Sequence, residues 1–95
     1  MTTVEWSSWA RQDLLAIIDY ISDDNVTAAQ EMKDTIESRV ADLPLHPRLY
    51  KEGREPGTRE MVVHPNYIVI YSESTTTLIV LRVLHVARKW PSETE

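Results

Sequence analysis

Five side chains in the second half of the chain can together handle a phosphate and a proton: Arg59, His64, Arg82, His85 and Arg88. Arginine presents a permanently charged, planar fork of donors that fits phosphate oxygens, and histidine titrates near neutral pH. Such a set suffices for RNA cleavage by attack of a 2′-hydroxyl. The arginines would steady the crowded phosphorane and an imidazole would move protons. The same five side chains are the ones available for that chemistry. The sequence offers no nucleophile to accompany a histidine, no glycine-rich phosphate loop and no G-x-S-x-G turn. The same region also reads as a binding epitope. Arg82, His85, Arg88, Lys89 and Trp90 form a basic, aromatic close to the chain that could grip an acidic protein surface or stack on a base.

The spacing limits how these residues can meet. Alternation along the last strand puts Leu78, Val80, Arg82 and Leu84 on one face, and Ile79, Leu81, Val83 and His85 on the other. An arginine in such apolar company must reach the sheet surface, pair with a carboxylate such as Glu60, or border a groove. Arg59 and His64 lie five positions apart, at opposite ends and on opposite faces of their strand. His46 sits in a proline-flanked loop. No pair of the three histidines has a metal-binding spacing, so neither a metal nor a cofactor is expected.

The elements that must position these groups are legible in order. Thr3 to Trp6 reads as a short strand, after which Ser7 or Ser8 can cap a helix to about Asp23. Its apolar positions Ala10, Leu14, Ile17, Ile18 and Ile21 follow helical spacing. Thr27 and Gln30 match a capping box for a second helix, whose stripe is Ala29, Met32, Ile36, Val40 and Leu43, stopped by Pro44 and Pro47. An irregular stretch from Leu45 to Thr58 follows. Three strands then close the chain, over Arg59–His64, Tyr67–Ser72 and Thr76–His85. The order β-α-α-β-β-β predicts an α+β fold, with an antiparallel-rich sheet packed against a two-helix hairpin and one domain over residues 1–95.

Composition bounds the class. The 95 residues carry no cysteine, so disulfides and thiolate metal sites are excluded. No signal peptide or bilayer-length apolar run is visible, and a cytoplasmic protein without membrane contact is expected. The net charge of −5 is uneven. Residues 1–47 hold nine acidic against three basic side chains, whereas residues 48–90 hold seven basic against four acidic. Only the second half could attract a polyanion or an acidic partner.

Three stretches carry a family likeness: ARQDLLAIIDYISD (10–23), HPRLYKEGREPGTREMVVHPNYIVIYS (46–72) and IVLRVLHVARKW (79–90). The combination D-L-x-x-I-x-x-Y-I, G-x-R-E-x-x-V, Y-x-V-x-Y and L-R-V-L-H resembles the RelE/ParE superfamily of type II toxin–antitoxin toxins, closer to the ParE branch. The resemblance implies a growth-inhibiting toxin, associated with plasmid stabilisation and held inactive by a small antitoxin from the adjacent gene in a hetero-oligomer. Leu14, Ile18, Ile21, Met32, Ile36 and Arg59 are the residues expected to contact that antitoxin. For a ParE-like toxin the expected target is DNA gyrase, which it poisons to block replication. The alternative is a RelE-like, metal-independent, ribosome-dependent endonuclease of mRNA, using Arg59, His64, Arg82, His85 and Arg88. A third reading is a non-toxic co-repressor that acts through its antitoxin. Few lysines and a pI near 5.1 weigh against docking into ribosomal RNA.

Overall fold

A computed structural model describes residues 2–87. The elements are β1 (Thr3–Trp6), α1 (Ser8–Ser22), α2 (Val26–Asp42), a 3₁₀ turn (Leu43–Leu45), β2 (Lys51–Glu52), β3 (Arg59–His64), β4 (Tyr67–Glu73) and β5 (Thr77–His85). One five-stranded sheet runs in the order β1-β5-β4-β3-β2. β1 is parallel to β5 and the other pairings are antiparallel, so the fold is α+β with a mixed, mostly antiparallel sheet. The two-residue β2 lies within the stretch expected to be irregular. It pairs Lys51 with Glu60 and Glu52 with Arg59. No helix among the described residues is long and apolar enough to cross a membrane.

The caps explain where the helices begin. Ser7 caps α1, its Oγ accepting from the Ala10 amide at 3.0 Å. Asn25 caps α2, accepting from the Ala28 amide at 2.9 Å. The capping box expected from Thr27 and Gln30 does not form. The helix starts earlier because Asn25 already satisfies the first orphan donor, and Gln30 instead reaches forward to Asp34 at 3.0 Å. Pro44 stands in the first turn of the 3₁₀ segment, which takes over where α2 ends.

Both helices cover one face of the sheet. Ala10 and Leu14 from α1 and Ile36 and Val40 from α2 meet Met61, Val69, Tyr71, Leu78 and Val80 in one apolar core. The opposite face carries a smaller cluster of Ile68, Ile70 and Leu84, with Leu81 packed against it. Tyr71 is the largest wholly buried side chain, and its hydroxyl donates to the Pro47 carbonyl at 2.8 Å, tying the irregular segment to the sheet. Burial, opposed in part by the Arg59 charge, pushes its pKa up to about 12. A raised tyrosine pKa favours the folded state below the unfolded value of about 10, and that gain is lost as pH climbs towards about 12. Alkaline denaturation should therefore steepen in that window, by at most about 2.7 kcal/mol. The Tyr71→Phe protein should show a flatter alkaline limb when stability is followed by urea melts at stepped pH.

One irregularity decides which side chains face the helices. Between Ile70 and Tyr71 the β4–β5 register shifts, so Ile70 pairs with Arg82 and Tyr71 with Val80, leaving Leu81 as an extra residue. Ser7 fixes this bulge by donating its hydroxyl to the Leu81 carbonyl at 2.9 Å and its amide to the Val80 carbonyl at 2.9 Å. Strict alternation therefore fails. Leu78 and Val80 share the helix-side core with Val83, while Leu84 belongs to the opposite cluster. His85, paired with Tyr67, turns to the helix side, and Arg82, paired with Ile70 beyond the end of β1, reaches Asp13 of α1 from the open edge of β5.

Candidate functional site

The bulge and the Pro65-Asn66 turn bring two histidines to one end of the sheet. His85 closes β5 and His64 closes β3, and both rings lie against Tyr67 at the start of β4. The Tyr67–His85 ring centroids are 5.5 Å apart, edge to face, and the His64–Tyr67 centroids are 5.8 Å apart and tilted. The two imidazoles are held alike. His64 Nδ1 accepts from the Asn66 amide at 3.0 Å, and His85 Nδ1 accepts from the Ala87 amide at 3.1 Å. A backbone N–H can only donate, so in each neutral ring the proton sits on Nε2. Both rings thus offer a donor of fixed tautomer beside a nearly buried tyrosine.

α1 crosses this end of the sheet. Its residues Asp13, Ala16, Ile17 and Tyr20, at steps of three, one and three, line one side of a recess of about 230 Å³ whose other side is Tyr67 and residues Val83 to His85. A second recess of about 450 Å³ continues past Tyr20 and Tyr67 to Met32 of α2 and to His64.

Arg82 is committed to a different task. Its Nε and Nη2 donate to the two carboxylate oxygens of Asp13 at 2.7 and 3.0 Å, and its guanidinium carbon lies 5.3 Å from the centre of the Trp9 ring. Both side chains are close to buried, at 8% and 12% exposure. The same carboxylate accepts from the Val83 amide at 3.0 Å. β1 pairs with β5 only as far as Val80, so Asp13 finishes the edge that β1 leaves open. A bidentate, nearly dry pair of this geometry is the strong form of ion pair. Arg82 therefore pairs with Asp13, and the sequence expectation of Glu60 is corrected. Glu60 is buried elsewhere, where it accepts from the Arg54 amide at 3.1 Å and faces Lys51 and Arg54 at 3.8 and 3.5 Å.

Arg59 also stands apart from the histidines. It pairs with Tyr71, four residues along β4 from Tyr67, a separation of about 13 Å at the usual strand rise. Its Nη1 donates to the Tyr50 carbonyl at 2.8 Å. His46 is exposed at the end of the 3₁₀ turn. Arg88, Lys89 and Trp90 lie outside the described residues. Of the apolar residues expected to meet an antitoxin, Ile18, Ile21 and Met32 are partly buried at the margin of the core. Leu14 and Ile36 lie in the core, at 8% and 0% exposure, because the helix faces that carry them turn onto the sheet.

Sequence reasoning missed Asp13, Trp9, Tyr20 and Tyr67. A signal existed for three of them, since Trp9, Asp13 and Tyr20 recur along one side of α1 at steps of four and seven. Among the described residues no group of three or more histidine, cysteine, aspartate or glutamate side chains converges as a metal ligand set.

The sequence pattern of the family described as ParE toxin of type II toxin-antitoxin system, parDE, matches residues 4–90. Toxin RelE2 of Caulobacter vibrioides is 33% identical over 90 residues, covering 93% of this chain and 99% of that protein. In fold, the chain is similar to the chromosomal ParDE TA system from P. aeruginosa. The TM-score is 0.78 at 21% identity, over 90% of this chain and 97% of that one. It is also similar to the YoeB dimer from Staphylococcus aureus, with a TM-score of 0.62 at 10% identity, over 87% of this chain and 94% of that one. The chain belongs to the ParE toxin family of type II toxin–antitoxin systems, within the RelE/ParE superfamily.

Proposed function

We propose that the chain inhibits growth by poisoning DNA gyrase, without catalysis of its own, and that an antitoxin encoded beside it neutralises it in a cytoplasmic hetero-oligomer. The observation that carries this reading is the commitment of its arginines. Arg82, the cation nearest His85 in sequence among the described residues, already spends its planar donor fork on Asp13. Arg59 spends part of its own on the Tyr50 carbonyl, some 13 Å along the sheet by strand rise. A phosphorane at the histidines would have to compete with a buried carboxylate for Arg82. The overall charge of −5 supports the same reading, because attraction to phosphates supplies much of the affinity for ribosomal RNA.

The nuclease reading has one observation of its own, the matched pair of imidazoles around Tyr67. Both rings present an Nε2–H, so the pair supplies the proton-donating half of general acid–base cleavage. The co-repressor reading requires only antitoxin binding. Substitution of His85 by alanine separates the three in a regulated-expression growth assay. Full toxicity in His85→Ala, lost on deletion of residues 88–95, is the expected result. Loss of toxicity of a hundredfold or more in His85→Ala, together with loss of RNA cleavage, would favour the nuclease, since a positioned general acid or base contributes about 10²–10⁴ in rate. An inert wild-type protein would leave the co-repressor.

A further inference from the structure

The sheet guards its two edges differently. β2 closes one edge with two residues, Lys51 and Glu52, both charged and exposed, which is how natural sheets deter a further strand. β1 closes the other with Thr3–Trp6, which holds no lysine, proline or bulge and has Glu5 as its one charge. The Thr3 amide donates to the Thr76 carbonyl at 3.0 Å, and the Ser7 amide to the Val80 carbonyl at 2.9 Å. Backbone groups of alternate residues point to opposite sides of a strand, so those of Thr2, Val4 and Trp6 point outward from the sheet. Among the described residues no segment pairs with them.

A recess of about 520 Å³ runs along this edge on the side of the helices. Val4 and Trp6 form its strand wall, and Val40, Ala41, Pro44 and Leu45 form the wall from α2 and the 3₁₀ turn. Leu45 is 74% exposed, an aliphatic side chain left in water beside open backbone. Side chains of an added strand alternate, so every second one enters this recess.

We propose that the edge of β1 pairs with β1 of a second copy of this chain, antiparallel, about a two-fold axis through Val4. That register sets Val4 against the partner's Val4, and Thr2 against the partner's Trp6 on each side of the axis. All three facing pairs exchange both of their N–H···O bonds, because Thr2, Val4 and Trp6 carry the outward groups. Side chains in such pairs share a face, so each Trp6 enters the other copy's recess beside Thr2, Pro44 and Leu45. On the other face Thr3 meets the partner's Glu5, and no like charges are opposed. Moving the axis to Glu5 loses a facing pair and sets the two carboxylates directly against each other, which selects the axis through Val4. A foreign strand would need a bulky apolar residue for the recess and a neutral one against Glu5. β1 itself carries both in the right phase, as Trp6 and Thr3. The interface is isologous, and its few paired residues make association weak and concentration-dependent. β1 ends opposite Val80, so the contact lies away from the histidine end of β5.

Sedimentation equilibrium of the full-length chain over a concentration series should show a reversible monomer–dimer equilibrium. Val4→Pro removes an outward amide that the β1–β5 ladder does not use, and should weaken the dimer about a hundredfold. Leu45→Glu, on an exposed side chain that does not hold the fold, places a carboxylate in the recess and should weaken it about tenfold or more. The chain has no cysteine, so cross-linking reads the register cleanly. Under mild oxidation a mixture of Thr3→Cys and Glu5→Cys chains should give a disulfide-linked dimer, and neither variant should do so alone. A chain that stays monomeric throughout the series overturns the proposal, as does a dimer that both Val4→Pro and Leu45→Glu leave intact. Cross-linking of Glu5→Cys by itself overturns the axis through Val4. A monomer whose β1 amides respond only to the recombinant adjacent-gene product overturns the choice of occupant.

Discussion

Asp13→Ala is expected to destabilise the protein by about 3–5 kcal/mol, enough to leave much of it unfolded at 37 °C. The carboxylate does two jobs at once: it neutralises Arg82 through both oxygens and accepts the Val83 amide on the open edge of β5. Its removal leaves a guanidinium 8% exposed without its main counter-charge and a strand amide without its acceptor. The expected loss is set by those orphaned groups and exceeds the net contribution of the pair itself. Two further variants make the argument sharp. Asp13→Asn keeps one acceptor oxygen, which in the place of Oδ2 can still take both the Arg82 Nε–H and the Val83 amide, and should lose less than Asp13→Ala. The double variant Asp13→Leu/Arg82→Met removes both charges and should recover most of the stability, because no charge is then left stranded. Chemical denaturation of the four proteins reads the series directly. Equal stabilities for wild type and Asp13→Ala would show that the pair does not hold α1 to β5.

The second large effect belongs to Ile36→Ala, expected to cost about 2–5 kcal/mol. Ile36 is 0% exposed beneath α2, among the largest side chains sealed in the core. Truncation there leaves a cavity that the surrounding helices and sheet can close only in part. The effect should appear in the urea midpoint and not in antitoxin affinity measured on the fraction that remains folded. Met32→Ala should behave in the opposite sense, since Met32 is only partly buried and lines the recess beside His64. The contrast separates residues on one helical stripe that sequence periodicity alone groups together.

That stripe marks where the sequence was readable. β1 and β3 fall where the alternation of residue types places them, and α1 begins where Ser7 or Ser8 was expected to cap it. Strong period-2 and period-3.6 patterns survive because burial of one face enforces them. The capping box at Thr27 was legible but irrelevant, since Asn25 captures an amide first. β2 was not legible, because two residues carry no periodicity. The costliest blind spot was Leu81. An extra residue inside a run as continuously apolar as Leu78 to Leu84 leaves no compositional trace, yet it exchanges the faces of every residue after it. From that single bulge follows the placement of His85 beside Tyr67. The candidate site was therefore half visible: its residue types were in the sequence, and their partners were not.

The commitment of Arg82 to Asp13 is the centre of the functional account, because it takes the best phosphate ligand away from the histidines. The most direct measurement is a DNA gyrase supercoiling and cleavage assay with the purified chain, run beside ribosome-programmed mRNA cleavage with the same preparation. The account predicts trapped, cleaved DNA with intact mRNA. Cut mRNA with gyrase untouched would contradict it, and would mean that Arg82 leaves Asp13 for the substrate when the ribosome is bound.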